Sequence, residues 1–183
     1  MFTHRLATRA DLVELAPLVS AAIDQLQASV LTPEQVAASH AIMGIDTQLV
    51  DDGTYFVVEA GERIAGCGGW SRRATLYGGD HSTGRDDALL DPAVDAARVR
   101  AMYTHPDFAR RGVGRITLSL CEAAATAEGF HRLELVATMA GLPLYTACGF
   151  DVVDTVDDTS AGTAIPLVRM TKSVGSAVAA PGR

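Results

Sequence analysis

A single-domain α/β layer fold with a mixed, mostly antiparallel, twisted sheet is predicted for this 183-residue chain. Short apolar runs of strand character alternate with amphipathic segments of helical period. Hairpin-like pairs and helical crossovers occur in one chain, so the sheet holds both antiparallel and parallel neighbours. The length suits one domain that buries about 70 % of its unfolded surface. The order read along the chain is β-α-α-β-β-β-α-β-α-β-β, with about six or seven strands flanked by helices.

"HRLAT" reads as the first strand. "TRADLVELAPLVSAAIDQLQ" follows as a helix, with Thr8 as N-cap, Asp11 three residues on, and Leu12, Leu15, Val19 and Ile23 at helical spacing. "TPEQVAASHAIMG" repeats that plan, with Thr32 as cap, Pro33 at the first helical position and Gly44 as terminator. "TYFVVEAGERIAGCGGW" is a hairpin turning around Ala60–Glu62. Residues 71–97 are rich in Gly, Asp and Ser without periodicity, which predicts a long excursion. Loops of that length inside a compact domain are functional or disordered.

"ARVRAMYT" is the next strand and 112–128 the next helix. Val113, Ile116, Leu120, Ala124 and Ala127 are its expected apolar stripe, and Gly129 ends it. "HRLELVAT" is a strand, and "AGLPLYTACGF" a short helix with Pro143 near its start and Gly149 past its end. "GFDVVDTV" and "AIPLVRMTK" complete the strand set. The domain is expected to span 1–172, with 173–183 a flexible tail.

The formal net charge of −7 argues against nucleic acid and membrane surfaces as partners. Cys67, Cys121 and Cys148 lie in apolar runs without CxxC or Cys/His zinc spacing, which fits reduced thiols and no metal. Arg5, Arg9, Asp11 and Glu14 interrupt any signal-peptide core, and no apolar window is long enough to span a bilayer. The expected location is the cytoplasm.

"ARRGVGR", residues 109–115, is the stretch with chemistry in it. Arg110, Arg111 and Arg115 crowd the start of a helix, where the macrodipole is already positive and cations are disfavoured. Gly112 and Gly114 let a ligand approach the backbone and leave first-turn amides pointing outward, an anion site that offsets the repulsion among the arginines. The alternative is a plain turn whose arginines are solvated or paired with Asp107 and Glu122. A dinucleotide fingerprint is excluded by Thr117 at the third glycine position, and a P-loop by the missing Gly-Lys-Ser/Thr.

"RAMYTHPDFARRGVGRITLSLCEAAATAEGF" together with "ATMAGLPLYTACGF" resembles the GNAT superfamily of acyl-CoA-dependent N-acetyltransferases. The strand motif falls on Met102, Tyr103, Thr104, His105 and Pro106, and the loop on Ala109, Arg110, Arg111, Gly112, Val113, Gly114 and Arg115. Leu144-Tyr145 and Gly149-Phe150 match the later helix. Ala109 replaces the usual Gln or Arg, and Thr138 stands where the family often has Asn beside the pantetheine arm. The resemblance implies a GNAT-like sheet, acetyl-CoA as cosubstrate, an amine-bearing small-molecule or peptide acceptor and no metal. Relatives pair through sheet edges, which leaves a homodimer open.

In the implied mechanism a neutral amine attacks the thioester carbonyl, and a main-chain N–H from a bulged strand near Met102–Thr104 stabilises the oxyanion, worth roughly 3 kcal/mol. Tyr145 is the candidate general acid. A phenol near pKa 10 and a thiol near 8.5 differ by about 1.5 units, so a hydrogen bond that strengthens as sulfur gains charge is the sensible role. Glu59, His81 and Glu134 are candidate bases alongside a water chain, and none is assigned. Trp70 and Tyr77 flank the excursion as acceptor-pocket walls or as packing. The alternative functions are a non-catalytic coenzyme A or nucleotide-phosphate module and a cysteine-nucleophile enzyme.

Overall fold

The computed structural model describes residues 1–175. Its strands are β1 (Thr3–Leu6), β2 (Tyr55–Ala60), β3 (Arg63–Ser71), β4 (Ala97–Thr104), β5 (Arg132–Thr138), β6 (Asp151–Asp158) and β7 (Ile165–Ser173). They form one open sheet in the order β1-β2-β3-β4-β5-β7-β6. Every neighbouring pair is antiparallel except β4 and β5. The helices are α1 (Leu12–Leu26), α2 (Pro33–Ser39), α3 (Thr47–Asp51), α4 (Val113–Ala127) and α5 (Leu142–Ala147). The element order matches the prediction, with α3 added.

The two larger apolar clusters among the described residues lie against the sheet. One joins Leu118, Cys121 and Ala125 of α4 and Tyr145 of α5 to Val99, Leu133, Leu135 and Met170. The other joins Leu15, Leu18, Val19 and Ile23 of α1 and Leu49 of α3 to Tyr55, Val57 and Cys67. The buried face of α4 is turned by about one residue from the predicted stripe: Val113, Thr117, Leu118, Cys121 and Ala125 are buried, whereas Ala127 is exposed. Glycines on β3 explain the shift, because they let the helix ride close to the strand. A Cβ at Gly66 would lie 2.5 Å from Val113 Cγ1, and one at Gly68 2.3 Å from Met102 Sδ and 2.8 Å from Thr117 Cγ2. Gly68→Ala is therefore expected to destabilise by about 1–3 kcal/mol, lowering Tm by roughly 2–4 °C per kcal/mol in a thermal melt.

The caps read from the sequence are present. Thr8 donates to Asp11 through its amide (2.6 Å) and its hydroxyl (2.9 Å), and Thr32 and Gln35 cap each other. Arg5 adds a two-pronged contact to Asp11 at 2.9 and 2.8 Å. That guanidinium, helped by the Thr8 donors against the effect of burial, holds the Asp11 carboxyl far below the usual range. A depressed folded pKa stabilises above the unfolded value near 3.9, and the stabilisation is lost as pH falls below it. Asp11→Asn is accordingly expected to lower the urea midpoint at pH 7 and to narrow its gap from wild type near pH 3.

Helix α2 stops at Ser39, short of Gly44, whose amide is instead held by the Tyr103 hydroxyl at 3.0 Å. The excursion between β3 and β4 carries one isolated bridge, Arg73 to Leu89. Arg73 clamps it to Asp52 at 2.7 and 2.9 Å, and Thr75 closes it on Asp86. Strand β7 continues to Ser173, and the Val174 amide donates to the His131 carbonyl. The rest of the expected tail, 176–183, lies outside the described residues.

Candidate active site

Strands β4 and β5 pair only at Ala97–Leu133 and Arg98–Glu134. Beyond Val99 and Leu135 they part, which opens a gap in the middle of the sheet. On its other side β4 is bulged: Cys67 faces Tyr103 and Gly69 faces Arg100, so β4 holds one residue more than β3. Ala101 takes up the extra length at φ +50. The Tyr55 hydroxyl donates to the Ala101 carbonyl at 3.0 Å and fixes the bulge. The bulge thus sits at Ala101–Met102, at the leading edge of the expected Met102–Thr104.

A cavity of about 70 Å³ occupies the gap, lined among others by Ala101 and Met102 of β4, Val136 and Thr138 of β5, and Tyr145 of α5. The Tyr145 ring is buried and meets Phe150 edge-to-face at 5.9 Å. Gly141 seats it, since a Cβ there would lie 3.1 Å from the ring. Burial pushes the phenol well above its ordinary range, with the Cys121 and Cys148 thiols adding to the effect. The hydroxyl therefore stays a neutral donor at any physiological pH. Thr138 accepts the Gly141 amide at 3.1 Å, which leaves its own O–H free to donate. Tyr103 lines no part of this cavity; its hydroxyl is held at Gly44.

The glycine-arginine turn follows at the end of β4. His105 accepts the Asp107 amide at 3.1 Å and starts a 3-10 turn over Pro106–Phe108, and the Ala109 amide closes it on Pro106. The amides of residues 110–115 then make no hydrogen bond among the described residues. Arg110 (φ +63) and Gly112 (φ +88) both adopt left-handed backbone, which turns successive N–H groups to one side ahead of α4. Gly114 packs closely: a Cβ there would lie 2.8 Å from Leu144 Cδ2, and the Leu144 side chain would have to shift.

All three arginines are exposed. The carboxylates that could have neutralised them are engaged elsewhere, Asp107 with Arg63 at 2.8 Å and Glu122 with Lys172 at 2.6 Å. Arg111 lies over the Phe108 ring at 5.2 Å and the Phe2 ring at 5.7 Å, which holds it in place without cancelling its charge. The arrangement is six unpaired amides and three uncompensated guanidinium groups at one helix start. That is suited to a multiply charged anion.

The candidate bases separate. Glu59 pairs with Arg5 at 2.9 Å near the β1 edge. Glu134 is half-buried between Arg98 and Arg169, where the alternation of β5 had predicted exposure. His81 lines an outer cleft of about 420 Å³ with Tyr77, Asp158 and Ser160. Its Nε2 lies 2.9 Å from the His40 carbonyl, so the tautomer that donates there keeps Nδ1 as an acceptor. Inner cavity and outer cleft share Ile42, Leu76 and Tyr77. Tyr77 donates to Asp158 at 2.9 Å and Ser160 donates twice, so although burial pushes Asp158 upward, these bonds hold it below the usual carboxylate range.

Tyr77 is thus a wall of both cavities. Trp70 is core, edge-to-face with Phe130 at 5.9 Å. Burial pushes the Cys67 thiol up to about 12 and Cys121 higher still, so neither is a nucleophile at neutral pH. Sequence reasoning missed Asp46 and Arg100, a fully buried ion pair behind the bulge. The one available signal was Arg100 at an interior position of a strand, between Val99 and Ala101.

Among the described residues no group of three or more His, Cys, Asp and Glu could hold a metal ion, and no helix is long and apolar enough to cross a membrane. A profile of the acetyltransferase (GNAT) family matches residues 21–150. No curated protein matches in sequence. Solved structures do match in fold. A GCN5-related N-acetyltransferase from Rhodopseudomonas palustris has a TM-score of 0.70 at 21 % identity, covering 94 % of this chain and 95 % of that one. PaiA N-acetyltransferase from Thermoplasma acidophilum, in complex with coenzyme A, has 0.64 at 14 % identity over 95 % and 99 %. YncA from Salmonella typhimurium, with acetyl-CoA, has 0.64 at 18 % identity over 97 % and 96 %. With the family profile covering most of the chain and the fold shared with solved N-acetyltransferases, the protein belongs to the GNAT acetyltransferase family.

Proposed function

We propose that this protein is an N-acetyltransferase that moves an acetyl group from acetyl-CoA to a primary amine by direct attack. The observation that carries this reading is the juxtaposition around one gap in the sheet: unpaired amides at residues 110–115, a bulge at Ala101–Met102, and an unpartnered tyrosine hydroxyl.

In this reading the amides from Arg110 to Arg115 hold the diphosphate of coenzyme A, and the three guanidinium groups add charge-assisted contacts. Ala109 closes the preceding turn. The Met102 backbone and the Thr138 hydroxyl flank the thioester end of the pantetheine arm in the gap left by β5, and the backbones of Tyr103 and Thr104 follow the arm toward the turn. An amide of the bulge faces the thioester carbonyl oxygen, where charge develops. Tyr145 donates a hydrogen bond to the departing sulfur. The acceptor amine arrives through the outer cleft and loses its proton toward it, where water can connect the inner cavity to His81 Nδ1.

The test is acetyl-CoA-dependent thiol release across a panel of amino acids, polyamines, aminoglycosides and peptide amino termini, with coenzyme A binding measured by calorimetry. Release that requires both acetyl-CoA and an amine is expected. Tight coenzyme A binding with no stimulation by any amine would instead favour a non-catalytic binding module.

A further inference from the structure

The outer cleft holds a carboxylate that the proposed chemistry leaves unused. Asp158 ends β6, whose other residues are all exposed, and is itself 8 % exposed. It lines the cleft of about 420 Å³ beside Tyr77 and Ser160. The Tyr77 hydroxyl donates to Oδ2 at 2.9 Å, and the Ser160 amide and hydroxyl donate to Oδ1 at 2.8 and 2.6 Å. Although burial pushes the carboxyl upward, these bonds hold it below the usual range, so it is ionised at neutral pH. None of the three donors is a cation. A charge this buried is unfavourable without a counter-ion, and an asparagine would close the same turn on Ser160 without that penalty.

The neighbouring polar side chains spend their protons on the protein itself. Ser160 Oγ gives its proton to Asp158, and Ser82 Oγ gives its own to the Ile42 carbonyl at 3.2 Å. The His81 Nε2 proton goes to the His40 carbonyl. All three side chains line the cleft, and each is left with a lone pair to offer. Asp158 Oδ2, with a single donor, has room for another. The Thr83 hydroxyl can take either role and does not change that balance. Such a lining suits a ligand group that only donates. An alkylammonium is one, with three N–H donors, no acceptor and a full charge at neutral pH. The walls shared with the inner cavity are Ile42, Leu76 and Tyr77, which suit a methylene chain.

We propose that Asp158 holds a second, charged ammonium group of the acceptor in the outer cleft, so that the substrate is a diamine or polyamine acetylated at its other end. This rests on the acetyltransferase reading above and names its substrate class. The reacting amine reaches the thioester past Tyr77, the methylene chain runs between Ile42, Leu76 and Tyr77, and the far ammonium stays on Asp158 and the Ser160 oxygen. Asp158 supplies the charge that selects this amine over one with an apolar end.

The test compares straight-chain terminal diamines, from diaminopropane to diaminohexane, with alkylamines of the same length. Thiol release is measured for both sets, and wild-type protein with coenzyme A is titrated calorimetrically with each compound. At least one diamine is expected to exceed its alkylamine by about 10²-fold in kcat/KM, and to bind where the alkylamine does not. Asp158→Asn is expected to erase both differences with an unchanged Kd for coenzyme A, while Tm holds or rises because an unneutralised buried charge is gone. A merely structural Asp158 would lower Tm and leave the diamine preference in place. Equal turnover of diamines and alkylamines by the wild type, or a preference that survives Asp158→Asn, overturns the ammonium site and leaves the acetyltransferase reading standing. Diamine binding that Asp158→Asn abolishes, without turnover of any amine, upholds the site and overturns the catalytic reading. Neither turnover nor diamine binding overturns both. Should Asp158→Asn fail to fold, the wild-type comparison alone decides.

Discussion

Tyr145→Phe is expected to lower kcat about 10²- to 10³-fold while the Kd for coenzyme A stays within twofold. The argument is geometric first. The ring packs edge-to-face on Phe150 in space that Gly141 leaves open, and neither feature involves the oxygen. Phenylalanine therefore fits the same space, and the variant removes only a hydroxyl that has no partner among the described residues. Stability should hold or rise slightly, because an unpaired polar group leaves a buried site. A structural role for Tyr145 would show the opposite pattern, with Tm falling and kcat following it. Burial adds a second readout. Since the phenol titrates well above its ordinary range, kcat should show no falling limb from this group up to pH 10. Thiol release under saturating acetyl-CoA, with a parallel thermal melt, distinguishes the two roles.

The double substitution Arg110→Ala/Arg111→Ala is expected to raise the Kd for coenzyme A about 10- to 100-fold at low ionic strength. The range is modest for two charges because both side chains are exposed and water screens them. Arg111→Ala alone should have the larger effect of the two, since its guanidinium is already positioned over the Phe108 and Phe2 rings and loses less freedom on binding. Added salt should shrink the gap from wild type, because the Debye length falls from about 10 Å at 0.1 M to about 3 Å at 1 M. What survives at high salt measures the backbone contribution. Calorimetric titration across a salt series checks both points, and a loss of affinity independent of salt would contradict the electrostatic account.

Much of this site was legible in the chain. The glycine-arginine turn is local chemistry: a left-handed Gly112, a close-packed Gly114 and the helix start all sit within a few residues. Tyr145 and Thr138 were reachable through their neighbours in "ATMAGLPLYTACGF". The caps at Thr8 and Thr32 are likewise i-to-i+3 contacts, which depend on nothing distant. The buried face of α4 was misread because the deciding residues, Gly66 and Gly68, lie on another strand. Asp46 and Arg100 were missed for the same reason: their pairing spans 54 positions, and the place of Arg100 inside a strand does not say which carboxylate it meets.

The sequence by itself determined the order of elements, the helix boundaries set by short-range capping, and the anion-suited turn at 109–115. The tertiary structure decided where β4 and β5 part, which side of α4 is buried, and which charged groups lie beside the gap. Capping and glycine conformations depend on neighbours a few residues apart. The gap depends on how one extra residue in β4 and the brief parallel pairing with β5 are accommodated across the sheet, and no local pattern encodes that.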